Sequence, residues 1–142
     1  MKILHVGDIC GIPQTLAAEQ RRRGHQADCI AFPGDFTLRW RIRKFLKLLE
    51  WIPAYDRVHF HYSTGLPFAP DLPIWKLMGK EIVMHFHGSD IRGRRLNPLI
   101  KWLSNKIYVS TPDLLRWAPS AEWMPQPFDF SALPKQPGDQ RD

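Results

Sequence analysis

Lys2-Ile3-Leu4-His5-Val6, then Gly7, Gly11-Ile12-Pro13, Gln14 to Arg23, Gly24, and Ala27 to Phe32 ahead of Pro33-Gly34 form the stretch on which the fold turns. The opening apolar run stops at a glycine, as a buried parallel strand does. Gly11-Ile12-Pro13 punctuates the chain before a helical stretch whose Leu16 and Ala17 are apolar, and Gly24 is its stop. A second apolar strand follows. Strand, glycine turn, helix and strand within about 30 residues make one βαβ unit.

The rest of the chain repeats the alternation. Leu38 to Ile52 predicts a helix, Arg57 to Tyr62 a strand, Pro70 to Met78 a short helix, and Ile82 to Phe86 a strand. Arg94 to Leu103 reads as helix, Lys106 to Val109 as strand, Pro112 to Trp117 as a helical turn or two, and Glu122 to Met124 as a last strand. The expected fold is a single α/β Rossmann-like domain over residues 1–124, an open parallel sheet of about six strands with helices on both faces. Residues 125–142, with Pro125, Pro127, Pro134 and Pro137 among polar residues, read as a linker or loose tail.

At 142 residues, 44% hydrophobic and 24% charged, the chain is an ordinary globular one that buries a core without disulfides. Twenty Lys and Arg against 14 Asp and Glu leave +6, which suits an anionic partner: nucleic acid, an anionic membrane surface or a phosphate-bearing substrate. No recognised nucleic-acid module accompanies the charge, so nucleic acid is not the expected partner. Only two cysteines and no secretory h-region point to a reducing, cytoplasmic setting. No apolar run is long enough to span a bilayer, so any membrane contact is expected to be peripheral, on the inner face.

In an open parallel sheet, ligands bind beyond the carboxyl ends of the strands. After the first strand lies Gly7-Asp8-Ile9-Cys10-Gly11, where Gly11 and Ile12 are candidates to approach a phosphate at the helix N-terminus, although a plain tight turn explains them as well. After the fourth strand lies His85-Phe86-His87-Gly88-Ser89-Asp90. His87 there is a candidate proton carrier, Ser89 and Asp90 candidate partners of sugar hydroxyls, and Arg92 and Arg94 candidate partners of an anion. Asp90 could equally cap the next helix. His59 and His61 form a second His-x-His, but without a matching carboxylate or cysteine these histidines are expected to pack with neighbours and hold no metal.

The helix from Leu38 carries two stripes. Leu38, Ile42, Phe45, Leu46, Leu49 and Ile52 make a broad apolar face expected on the sheet. Trp40, Lys44, Lys47 and Trp51 lie nearly opposite, and tryptophans interleaved with lysines suit either an interfacial membrane anchor or packing against a neighbouring loop or domain.

Four segments together resemble the amino-terminal domain of the GT-B glycosyltransferases of the large retaining group called family four. They are Met1 to Val6 with Gly11-Ile12-Pro13 through Arg23-Gly24-His25; Tyr55 to His61; Gly79 to Arg92; and Tyr108 to Leu115 closing with Met124 to Asp129. The resemblance implies an acceptor-binding lobe, a first loop around Gly11 facing the donor phosphates, and His87 near the transferred sugar. It also implies that the nucleotide-sugar donor is held mainly by a second Rossmann-like domain or partner subunit beyond this sequence, and that the acceptor is a glycan or lipid-linked precursor. No cofactor of the lobe's own is implied. The family's usual two adjacent glycines in the first loop are here reduced to one, Gly11. The expectation is a lobe inactive by itself; the rival readings are a non-catalytic module docking on anionic membrane or glycan, and a flavodoxin-type nucleotide binder.

Overall fold

A computed structural model describes residues 1–7, 9–31, 37–62, 69 and 71–127. Six strands form one all-parallel sheet in the order β2-β1-β3-β4-β5-β6. They are β1 (Lys2–Val6), β2 (Gln26–Ile30), β3 (Arg57–His61), β4 (Glu81–Phe86), β5 (Lys106–Val109) and β6 (Glu122–Trp123). Helices α1 (Ile12–Arg22), α2 (Leu38–Trp51), α3 (Leu72–Leu77) and α4 (Pro98–Leu103) alternate with them, with 3-10 turns at Ile52–Ala54 and Pro112–Arg116. This is the expected Rossmann-like α/β architecture. Of the expected linker, only residues 125–127 fall among those described.

Alternation along the strands divides the core between two faces. One face presents Leu4, Val6, Val58, Phe60, Ile82, Met84 and Val109, all buried, to Leu48 of α2, Ile52 of the turn after it, Leu72 and Trp75 of α3 and Leu103 of α4. Trp75 meets Phe60 edge-to-face with ring centroids 6.4 Å apart. The other face is smaller: Ile3, Ala27 and Ala17 of α1 form its apolar cluster. Beyond α1, that second face is lined by histidines.

Two helix expectations change. The helix predicted over Arg94 to Leu103 begins only at Pro98, because the Asn97 side chain accepts a hydrogen bond from the Leu99 amide and the proline ring keeps the residue before it out of helical backbone. Arg94 therefore lies in a turn, its amide donating to the Ile91 carbonyl. Helix α2 is rotated by roughly a quarter turn from the expected orientation. Ile42 and Leu46, expected on the sheet, are 51% and 58% exposed, whereas Leu48 is 1% exposed and lies at the centre of the inward face. Trp51, expected outward, packs against the main core, Trp40 and Lys44 are half-buried, and Lys47 alone of those four is exposed. Burying indole and Leu48 surface removes more apolar area from water than burying Ile42 and Leu46. The lysines ride on the indoles, Lys44 Nζ 5.1 Å from the Trp40 ring centre and Lys47 Nζ 5.8 Å from that of Trp51. Burial lowers the Lys44 pKa, opposed by the charge of Asp71.

Candidate functional site

The order β2-β1-β3 makes the gap between β1 and β3 the point where the chain's winding reverses, and the carboxyl ends of these strands form the crevice that such sheets use for ligands. Gly7 closes β1 there. A Cβ on it would stand 2.6 Å from the His61 carbonyl oxygen, and its φ is +115°, so a glycine alone lets the two strand ends approach. Tyr62, the residue after β3, holds a φ of 75°, a left-handed conformation that costs a bulky side chain about 1–3 kcal/mol.

Register assembles five histidines on one face. His5 stands opposite His59 across β1 and β3, and His61 opposite His85 across β3 and β4. Rings two residues apart along the chain lie close: His59 stacks on His61 at 4.2 Å, and His85 is tilted against His87 at 4.2 Å between centroids. His5, His59, His61 and His85 are buried and His87 is half-buried. One assignment of ring protons is consistent with the contacts that link these rings to one another, to Gln20 and to Ser110. His5 Nε2–H donates to Gln20 Oε1 at 2.8 Å, His61 Nε2–H to His5 Nδ1 at 3.0 Å, and His87 Nε2–H to His61 Nδ1 at 3.3 Å. Ser110 Oγ–H donates to His87 Nδ1 at 2.8 Å and accepts from His85 Nε2–H at 3.2 Å. The result is a continuous file of neutral imidazoles from the strand-end crevice to α1. His59 Nε2 and His85 Nδ1 are buried without a hydrogen-bond partner.

The electrostatics agree with neutrality. Desolvation lowers the pKa of all five, and neighbouring imidazoles add to the effect on His59, His61 and His85. His61 is brought down to about 2 and His85 to about 3. On His87 burial dominates, with Asp90 opposing it. At neutral pH the site therefore offers lone pairs and N–H groups but no imidazolium charge.

The loop after β4 is held from within. The Asp90 carboxylate accepts from the His87 amide at 2.9 Å and from the Gly88 amide at 2.7 Å. It therefore organises its own loop and does not cap α4, which Asn97 caps. Ser89 is exposed, its hydroxyl 3.4 Å from that of Tyr62. Arg92 is engaged by Asp113 at 2.8 Å, both about half exposed, and Arg94 is exposed. His87, Ser89 and Asp90 thus share one crevice rim, with Arg92 and Arg94 just beyond it. The first loop contributes less than expected. Gly11 adopts φ 74° as the left-handed lead into α1, while the Ile12 amide is spent on the Ile9 carbonyl and Pro13 has none. Two of the donors that an anion would need at this helix start are thereby removed.

Sequence reading missed His5, Gln20, Ser110 and Gln126, whose side-chain amide lies 3.4 Å from His87 Nδ1. A cavity of about 260 Å³ opens over the same face, lined by Leu16, Gln20, His59, Val83 and Tyr108 among others. A second, of about 320 Å³, sits at the amino ends of β1 and β2 beside Lys2, Arg21, His25 and Asp28, away from the strand-end crevice. Among the described residues, no helix is long and apolar enough to cross a membrane. Comparison of the sequence with known protein families and with curated proteins returns no significant match.

Proposed function

We propose that this chain is the acceptor-side lobe of a GT-B glycosyltransferase, which binds a glycan or lipid-linked acceptor opposite a donor lobe that carries the nucleotide sugar. The observation that carries the reading is His87: a half-buried, neutral imidazole at the carboxyl edge of β4, oriented by Ser110 and set on a loop that Asp90 ties down. A neutral imidazole in that position can exchange its long 3.3 Å contact with His61 for a hydrogen bond donated from Nε2–H to a sugar hydroxyl, without bringing a charge into the crevice. Departure of a nucleoside diphosphate requires positive charge or aligned amides and the exclusion of water. The first loop supplies few of these, so a second lobe must. Whether that lobe belongs to a longer form of the chain or to a separate subunit does not alter the chemistry.

The test is transfer of labelled sugar from nucleotide donors to membrane-derived or polysaccharide acceptors, with and without a donor lobe. Turnover is expected only in the combined sample, and His87→Ala should reduce it by roughly 100-fold or more. Robust turnover by the purified lobe alone would overturn the reading.

A second reading, docking on an anionic membrane, is favoured by one observation: α2 turns exposed Ile42 and Leu46 outward among exposed Arg39, Arg43 and Lys47. Sedimentation with phosphatidylserine vesicles tests it. Binding lost in Leu46→Glu supports this reading, and indifference to the anionic lipid removes it.

A further inference from the structure

Independently of any glycosyl transfer, we propose that His61, His85 and His87 form a binding site for one zinc-class divalent ion, held through His61 Nδ1, His85 Nδ1 and His87 Nε2. The expectation that the histidines hold no metal rested on the lack of a carboxylate or cysteine ligand. Register supplies what spacing did not show. Each of the three imidazoles brings a ring nitrogen within 4.8 Å of the other two. His61 Nδ1 and His87 Nε2 are already 3.3 Å apart, which is about the edge of a tetrahedron around an ion held at roughly 2.0–2.1 Å.

The outer nitrogens are as informative as the inner ones, since a ligating imidazole needs its other N–H held by an acceptor. Here each has one. His61 Nε2–H donates to His5 Nδ1, and His5 in turn donates to Gln20 Oε1. His85 Nε2–H donates to Ser110 Oγ, which leaves His85 Nδ1, the buried nitrogen without a partner, as its free lone pair. On binding, His87 shifts its proton from Nε2 to Nδ1 and donates to the same Ser110 Oγ, while the serine hydroxyl donates to the Phe86 carbonyl 3.2 Å away. Each ring N–H of His5, His61, His85 and His87 then has an acceptor, and the three ring lone pairs left on these four residues belong to the three proposed ligands. The rings, inclined at 22°, 32° and 43° to one another, must swing about χ2 to aim at one point. Three imidazoles with one member on the half-exposed side make an open site, in which the fourth position takes water or a substrate oxygen.

The alternative triad His5, His59 and His61 is also compact, but all three of its members are buried, which leaves no open side for a fourth ligand. It fits an ion less well.

The experiment titrates the untagged, chelator-treated full chain with Co(II) and Zn(II). We expect one ion per chain, a visible Co(II) spectrum of tetrahedral intensity displaced by zinc, and a melting temperature raised on the order of 5–10 °C at saturating zinc. His87→Ala and His87→Gln, at the half-exposed member, should abolish the spectrum while circular dichroism stays native. Ser110→Ala should weaken binding roughly 10–100-fold. His25→Ala and His59→Gln should leave it intact. Absence of stoichiometric binding, a Co(II) spectrum that survives in both His87 variants, or one that disappears in His59→Gln would each overturn the proposal.

Discussion

Acidification should unfold this protein through its imidazole face. In the folded chain His61 and His85 titrate at about 2 and about 3, well below the 6.5 of a solvated histidine, because burial and neighbouring rings oppose their charge. The unfolded chain therefore takes up protons first as pH falls. Stability is at its full value above about pH 6.5 and declines by roughly 1.4 kcal/mol per histidine for each pH unit below it, until the folded-state values are reached. At pH 4.5 these two residues together cost roughly 5 kcal/mol, and His5, His59 and His87, shifted in the same direction, add to that. Typical domains have about 5–15 kcal/mol in hand, so half unfolding is expected near about pH 4.5–5. Urea denaturation followed by circular dichroism, with chelator present, at half-unit steps from pH 7.5 to 5 measures the slope directly. His61→Gln should lower that slope by about one proton with the urea m-value unchanged. A stability that is flat to within about 1 kcal/mol over that range would refute the buried, neutral cluster.

Three other expectations concern packing. Gly7→Ala should destabilise the fold by roughly 2–4 kcal/mol in chemical denaturation, because its Cβ meets the His61 carbonyl and its φ is positive. Leu48→Ala should cost about 2–5 kcal/mol and Leu46→Ala within about 0.5 kcal/mol; equal costs would mean that α2 does not turn Leu48 inward. Asp90→Ala should leave two loop amides without acceptors and cost about 1–3 kcal/mol, with faster hydrogen exchange at the His87 and Gly88 amides as the local readout.

The architecture was legible because its signals are local. Lys2–Val6 ending at Gly7, and α1 ending ahead of Gly24, can be read without knowing what either packs against. The orientation of α2 was not legible, since Ile42 and Leu46 on one side and Leu48 and Trp51 on the other make two competing apolar faces. Only the sheet beneath decides between them. The start of α4 could have been found from Asn97-Pro98, a side-chain cap followed by a first-turn proline. His87 and its loop were visible as residues at a strand end, but His5 and Ser110 join them through strand pairing, which links positions 56 and 25 residues apart from their partners. No spacing rule reaches that far.

The contact between Gly7 and His61 has a mechanical consequence. With no side chain to act as a cushion between the end of β1 and the His61 carbonyl, the two strand ends form one stiff unit. A ligand that pushed on the first loop would therefore be felt at the imidazole file as a change in its 3.0 Å and 3.3 Å spacings, without any helix having to move.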